Sequence, residues 1–312
     1  MSSRRWLAVA KNGAGPARPS SSAAATSLPF GLVLVLLALP GLLLAADNAS
    51  HFASFDGVKV HYESYGWGKE AVVFIHGWTC DLTFWRGQAP VYSNRRSLLI
   101  DLPGHGQSDK PKVAYPVEFF ARGIEAVLRD AGVERAVLVG HSLGGPIAYS
   151  FIRLFPEQAK ALVLVDAMVY NAPSDAAFLA AQQVQYQQKA QRLSGVVGEK
   201  NFLAAVNAMF SAKTPPLLRD QIRAKMLATP EYVRVAAVTS VSEIESPAPA
   251  EKFDVPALAI QSAQKGTEKR AEAMRTIFPK LRLEKWVGSG HFLMMEEPAR
   301  FNRSLEKFLA GL

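Results

Sequence analysis

The stretch Ala136-Val137-Leu138-Val139-Gly140-His141-Ser142-Leu143-Gly144-Gly145-Pro146 decides the fold. Its first four residues are a short, continuously apolar run of the kind buried on both faces of a parallel sheet. They lead directly into Gly-x-Ser-x-Gly, and helix-forming sequence follows from about Pro146. A serine on so abrupt a strand-to-helix turn sits in strained backbone, stands out at the carboxyl edge of its sheet, and has a helix N-terminus behind it. The flanking glycines are needed because side chains there would collide with neighbouring backbone. Ser142 is the candidate nucleophile.

Similar apolar runs lie outward on both sides, at 71–75, 98–100, 161–165 and 257–260, with helical patterns at 117–131 and 147–155 between them. This alternation predicts right-handed βαβ crossovers, hence an α/β fold with a mostly parallel central sheet and helices on both faces. Residues 52–65 alternate about Asp56-Gly57, a two-residue hairpin signal. The rhythm breaks between 172 and 253, where Ala-, Gln- and Leu-rich helical pieces are punctuated by Gly195, Gly198, Pro215-Pro216, Pro230 and Pro247. These predict an inserted helical cap over about 170–253, with its Gln-rich patch at 182–191 as a solvated helix face. A strand at 281–286 and a helix at 298–309 complete the sheet.

The chain has 312 residues, 49% hydrophobic and 20% charged, which excludes a disordered protein and a disulfide mini-protein. Its net charge of +8 owes half to Arg4, Arg5, Lys11 and Arg18, unopposed within residues 1–46, and the remainder carries 31 basic against 27 acidic groups. So small an excess predicts no nucleic-acid partner. Cys80 is the one cysteine, which excludes an intrachain disulfide and a Cys-cluster metal site.

Residues 1–27 are basic and acid-free, and they precede an apolar run at 28–44 that ends in Ala45-Ala46 before Asp47. This is the layout of a secretory signal, with Pro40-Gly41 breaking the helix ahead of a cleavage site after Ala45 or Ala46. Residues 47–312 would then be a periplasmic or secreted domain. The alternative is a retained anchor, since such a run is at the lower limit for crossing ~30 Å of hydrocarbon. Ser3-Arg4-Arg5-Trp6-Leu7 partly matches a twin-arginine export motif, but the apolar core begins far downstream of it.

Three further motifs accompany the elbow: Phe74-Ile75-His76-Gly77-Trp78, Asp101-Leu102-Pro103-Gly104-His105-Gly106-Gln107-Ser108, and Gly288-Ser289-Gly290-His291-Phe292. With these in this order, the chain from 52 to 312 resembles the α/β-hydrolase family, in particular its serine esterases and lipases. A serine hydroxyl needs an adjacent base, and six histidines are available. His51 and His61 fall in or beside the hairpin, His76 and His105 in loop motifs, and His141 on the elbow. His291, on a late loop after the last strand, is where the family's base lies. The resemblance also implies an oxyanion hole from the backbone amides of Leu143 and Trp78, with the Trp78 side chain as a pocket wall, and structural roles for His76, Asp101 and His105.

The acid departs from the commonest family pattern. The usual position, after the strand ending near Ile260, reads Gln261-Ser262-Ala263-Gln264-Lys265 and offers no carboxylate. Some members take the acid from the end of the preceding strand, here Leu164-Val165-Asp166-Ala167. Asp166 is therefore the candidate acid, with Glu268 and Asp254 as alternatives. In relatives that use the later position, an aspartate at that point bonds only to loop backbone. Cys80 lies close to the oxyanion loop without a neighbour that would activate it. Phe178, Tyr186, Phe202 and Phe210 line an acyl pocket or pack the cap.

Together with the leader, which implies export, the resemblance implies a serine hydrolase that cleaves a small-molecule ester, lactone or thioester through an acyl-enzyme, with no metal or organic cofactor required. Haloalkane dehalogenases and epoxide hydrolases carry aspartate where this chain has Ser142. A carbon-carbon bond hydrolase is one alternative, with Arg153 and Arg192 as carboxylate-binding candidates by charge. A non-catalytic binding protein on a hydrolase scaffold is the other, suggested by the missing carboxylate at the usual position.

Overall fold

Each apolar run becomes a strand of a single sheet. The computed structural model describes residues 49–167, 169, 176–241, 251–264 and 266–312. The strands are β1 (Ala49–Phe55), β2 (Val58–Tyr65), β3 (Glu70–Ile75), β4 (Ser97–Ile100), β5 (Arg135–His141), β6 (Ala159–Val165), β7 (Ala257–Ser262) and β8 (Leu281–Trp286). They form an eight-stranded sheet in the order β1-β2-β4-β3-β5-β6-β7-β8. β1 and β2 pair antiparallel, as do β2 and β4, and every other pairing is parallel. The mostly parallel α/β sheet expected from the alternation is the fold observed.

The opening hairpin turns through Asp56 at φ 47° and Gly57 at φ 78°. Two successive positive φ values give the turn whose twist matches that of the flanking strands. Pairing carries β1 back to Ala49, where it faces Ser64. The interior strands β3, β4, β5 and β6 are buried almost throughout, which explains why they read as unbroken apolar runs rather than alternating ones.

Helix α1 (Val117–Asp130) buries Phe120, Ile124, Val127 and Leu128 on one face. Helix α2 (Gly144–Leu154) begins two residues before the Pro146 start that the sequence suggested. The elbow leaves only Ser142 and Leu143 between strand and helix, and Pro146 is tolerated in the first turn because N–H groups there have no intrahelical acceptor. Among the described residues four helices lie between β6 and β7: α3 (Ala176–Arg192), α4 (Gly198–Asn207), α5 (Pro216–Leu227) and α6 (Glu231–Val241). The flanks of the expected cap at 170–175 and 242–250, and the Phe178 side chain, fall outside the described residues. The glutamine-rich face of α3 is exposed. Helix α7 (Thr267–Ile277) makes the last crossover, and α8 (Pro298–Leu309) closes the chain.

Register sets up the site. His141 of β5 faces Val165 of β6, and Val165 faces Ile260 of β7. The residues just beyond these three neighbouring strand positions are therefore brought together at one carboxyl edge. Among the described residues no helix is long and apolar enough to cross a membrane. The leader reading falls on residues 1–46, outside the described part.

Candidate active site

Ser142 follows β5 at φ 53°, a left-handed conformation that an ordinary side chain adopts at a cost of about 1–3 kcal/mol. The strain is held by Ser142 N–H donating to Val165 O at 3.0 Å and by Gly145 N–H donating to Ser142 O at 3.0 Å. The two elbow glycines are sterically obligatory. A Cβ on Gly140 would lie 2.3 Å from Gly144 O, and one on Gly144 would lie 2.5 Å from Ile75 O.

His291 reaches this edge from the loop between β8 and α8. Its Nδ1–H donates to Asp166 Oδ2 at 2.6 Å. Its backbone is fixed twice, by His291 N–H donating to Met209 O at 2.9 Å and by His141 Nε2–H donating to His291 O at 3.0 Å. The imidazoles of His141 and His291 have centroids 4.7 Å apart. Among the described residues Ser142 Oγ takes part in no hydrogen bond in this arrangement.

Asp166, also at positive φ (42°), is the carboxylate that the structure brings to His291. Glu268 is exposed and paired with Lys285 at 2.5 Å, and Asp254 is exposed and paired with Lys280 at 2.8 Å. Ser262, which sequence reasoning passed over, stands where the usual acid would be. It donates its N–H (2.8 Å) and its Oγ–H (2.7 Å) to Asp166 Oδ1. Burial alone would raise the Asp166 pKa. The donations from His291 and Ser262 overcome that and hold the carboxyl below its ordinary value. The signal in the sequence was a hydroxyl residue at the vacated position.

His76, His105 and His141 are structural donors and acceptors. His76 is fully buried, gives its Nδ1–H to Gly77 O at 2.9 Å and accepts Leu102 N–H at Nε2 at 3.0 Å. Burial pushes His141 and His105 down to about 3 and so keeps both neutral. Cys80 is buried, and burial raises its thiol pKa well above the ordinary value, which makes it unreactive.

The loop after β3 presses against the elbow: a Cβ on Gly77 would stand 2.9 Å from His141 Nδ1 and 3.0 Å from Ser142 Cβ. Among the described residues neither the Trp78 nor the Leu143 amide N–H is given to a protein acceptor. The next residue, Thr79, is held at φ 58°. The cap grips this loop. Trp78 Nε1–H donates to Arg234 O at 2.9 Å, and Thr229 Oγ1–H donates to Thr79 O at 3.1 Å. The Arg234 guanidinium, over the Phe202 ring at 4.7 Å, donates to Leu227 O and Thr229 O at 3.1 Å each. Phe202 packs edge-on to Trp78 at 5.3 Å, and Phe210 lies 5.8 Å from Phe292 beside His291. Arg153 is tied to Glu251 at 3.0 Å and Arg192 is exposed, so neither candidate carboxylate binder is an unpaired charge buried at the site. Among the described residues no group of three or more His, Cys, Asp or Glu is arranged to hold a metal ion.

The family model for the alpha/beta hydrolase fold matches residues 70–298, which span the elbow, the loop after β3 and the loop that carries His291. The chain belongs to the alpha/beta hydrolase fold family. Within that family it is 37% identical over 123 residues to an uncharacterised protein of Mycobacterium bovis, covering 39% of this chain and 36% of that one. The chain thus spans about a third of the length of the first curated relatives it matches. A 2-hydroxy-6-oxononadienedioate/2-hydroxy-6-oxononatrienedioate hydrolase of Burkholderia vietnamiensis is 27% identical over 273 residues, covering 81% of this chain and 91% of the relative. Among solved structures, Est816, described as an N-acyl homoserine lactone degrading enzyme, superposes with a TM-score of 0.67 at 26% identity, over 83% of this chain and all of that one.

Proposed function

We infer that the protein is an exported serine hydrolase that opens a carboxylic ester, lactone or thioester through an acyl-enzyme. The observation that carries this reading is the His291–Asp166 bond of 2.6 Å beside a serine held at φ 53° on a glycine-lined elbow. Because Nδ1 of His291 is committed to the carboxylate, Nε2 is the basic nitrogen left for Ser142. Rotation of the serine side chain toward it starts the reaction. Ser142 Oγ attacks the substrate carbonyl while its proton passes to Nε2, and Asp166 stabilises the imidazolium. The Trp78 and Leu143 amides receive the oxyanion, each worth about 3 kcal/mol in the transition state. The proton then goes to the leaving group, and water repeats the sequence on the acyl-enzyme. Export rests on the leader layout of residues 1–46.

The test is peptide-resolved labelling with a fluorophosphonate. The fragment 136–153 that carries Ser142 should be modified in the wild type and not in Ser142→Ala, with ester turnover lost in parallel. A folded wild type that leaves this fragment unmodified overturns the reading and favours a binding protein on the same scaffold. A chain-length series of nitrophenyl esters then ranks acyl pockets.

The second reading, carbon-carbon bond hydrolysis, is favoured by the Burkholderia relative, whose match extends over most of both chains. It uses the same serine and histidine. Turnover of a dienone carboxylate exceeding that of every ester in the series would select it.

A further inference from the structure

A second set of serine, histidine and aspartate lies away from the elbow, on the antiparallel side of the sheet. Ser50 Oγ is 2.8 Å from His61 Nε2, and His61 Nδ1 is 2.7 Å from Asp101 Oδ2. Asp101 also accepts Leu82 N–H at 2.8 Å and Gln107 N–H at 2.9 Å, so its carboxylate faces donors only. Burial would raise its pKa, but the bond from His61 and these amides hold it below the ordinary value. An ionised Asp101 fixes the tautomer. His61 Nδ1 carries the proton, Nε2 presents its lone pair, and the Ser50 hydroxyl donates to it.

This relay is built rigidly. His61 N–H donates to Ser108 Oγ at 2.8 Å, which in turn donates to Asp101 O at 2.6 Å. His61 is completely buried, whereas Ser50 is exposed. Phe52, 49% exposed and two residues along the same face of β1, lies 5.1 Å from the His61 ring and gives an apolar surface beside the hydroxyl. Gln107 Nε2 approaches His61 Nε2 at 3.5 Å. A cavity of about 290 Å³ is lined in part by Gln107, Asp101 and Glu63, the last being the cross-strand partner of Ser50.

We propose that Ser50 is a second activated hydroxyl, a covalent acceptor site for activated acyl or phosphonyl donors. Ser50 Oγ attacks the carbonyl carbon or the phosphorus, and the new Oγ bond forms as the bond to the leaving group breaks. The hydroxyl proton passes to His61 Nε2 and from there to the leaving group or water. Ser50 lies in a regular ladder rather than on a strained turn beside two free amides, so the adduct accumulates and is not turned over.

The experiment uses the full chain carrying Ser142→Ala, which removes the elbow nucleophile, treated with a fluorophosphonate and read by peptide mass spectrometry. Ser50 and Ser54 are both exposed on β1 and share the tryptic fragment ending at Lys59, so Ser54 is an internal control without a histidine partner. A positioned base predicts Ser50 labelling about 100-fold or more faster than Ser54 in the folded protein. In urea the ratio should fall to about 1, as expected when the relay is dispersed. Ser50→Ala should abolish the fast adduct and leave the far-UV spectrum unchanged. A ratio below about 10 in the folded protein, or one that survives unfolding, overturns the proposal, because general-base help is larger than that and needs the fold.

Discussion

Ser142, His291 and Asp166 are gathered at the carboxyl ends of parallel strands, whereas Ser50, His61 and Asp101 are gathered where an antiparallel hairpin joins the same sheet. The hairpin set has both of its hydrogen bonds formed, and the elbow set has only the one between histidine and aspartate. Yet the elbow has what the hairpin lacks: a serine in strained backbone, two amides that find no acceptor among the described residues, and helices gripping the loop that supplies one of them. A complete relay supplies a base; turnover needs donors for the developing charge as well.

The comparison breaks most sharply at the two aspartates. Asp166→Asn should lower kcat by about 10⁴ with KM nearly unchanged, as expected when a carboxylate that orients the base is lost. Glu268→Gln should leave kcat alone. Asp101→Asn should leave kcat of the folded protein alone but lower stability by about 3 kcal/mol, because it disrupts a buried pair. Steady-state kinetics and urea unfolding of the three variants decide this. Full turnover in Asp166→Asn with loss in Glu268→Gln would reassign the acid.

The elbow set could be read from the sequence because its chemistry is concentrated in contiguous motifs. Gly140 to Gly144 declares a turn, and His291 sits in a short glycine-flanked loop. Asp166 was reachable because the usual acid position reads Gln261-Ser262, and the hydroxyl of Ser262 is the one local sign that this residue would hold the replacement. The hairpin set was hidden for a physical reason. His61 and Asp101 are 40 residues apart, and which face of the hairpin meets Asp101 depends on strand register. Local alternation predicts two strands without fixing that register. Helix α7 was missed for a related reason: its charged sequence leaves only Thr267, Ala271, Met274 and Ile277 as a narrow buried stripe.

Acid pH should weaken the protein at both sets in a defined order. His141, on the elbow, and His105, in the Asp101 loop, are depressed to about 3 by burial, below the value of about 6.5 in an unfolded chain. Between those values the unfolded chain binds the protons and the native state does not. Stability should therefore fall as the pH drops below about 6.5, by up to about 1.4 kcal/mol per pH unit for each histidine. Asp101 and Asp166 are depressed carboxylates, so their contribution is present above about 3.9 and is lost as the pH falls through their lower native values. Urea titrations at stepped pH should show the first decline in wild type and in Asp101→Asn alike, with a shallower second decline in the variant. Stability that is flat between pH 7 and 5 would contradict the buried neutral histidines.

A smaller effect isolates the second support of the elbow acid. Ser262→Ala removes the Oγ–H donor to Asp166 and keeps the backbone N–H. A hydrogen bond to a charged group contributes about 1.5–3 kcal/mol, so kcat should fall between about tenfold and about a hundredfold. Ser50 labelling in the Ser142→Ala background should not respond, since Ser262 belongs to the other set. A loss of Ser50 labelling there, alongside the fall in kcat, would mean that Ser262 supports the fold as a whole.

The smallest expected effect tests the cap. Thr229→Val keeps the side-chain shape and deletes the Oγ1–H that holds Thr79 O at 3.1 Å. Thr79 sits at φ 58°, a conformation that costs about 1–3 kcal/mol and persists only where its surroundings impose it. Freed of that bond, the loop can relax, and the neighbouring Trp78 amide moves with it. A neutral hydrogen bond contributes about 0.5–1.5 kcal/mol, so kcat should drop between about twofold and tenfold with KM little changed. Trp78→Phe, which deletes the parallel bond from the indole to Arg234 O at 2.9 Å, should act in the same direction. If both variants lose stability while keeping full kcat, the cap contacts hold the loop in the fold without setting its catalytic geometry, and the elbow's advantage over the hairpin set must come from strain and the Leu143 amide alone.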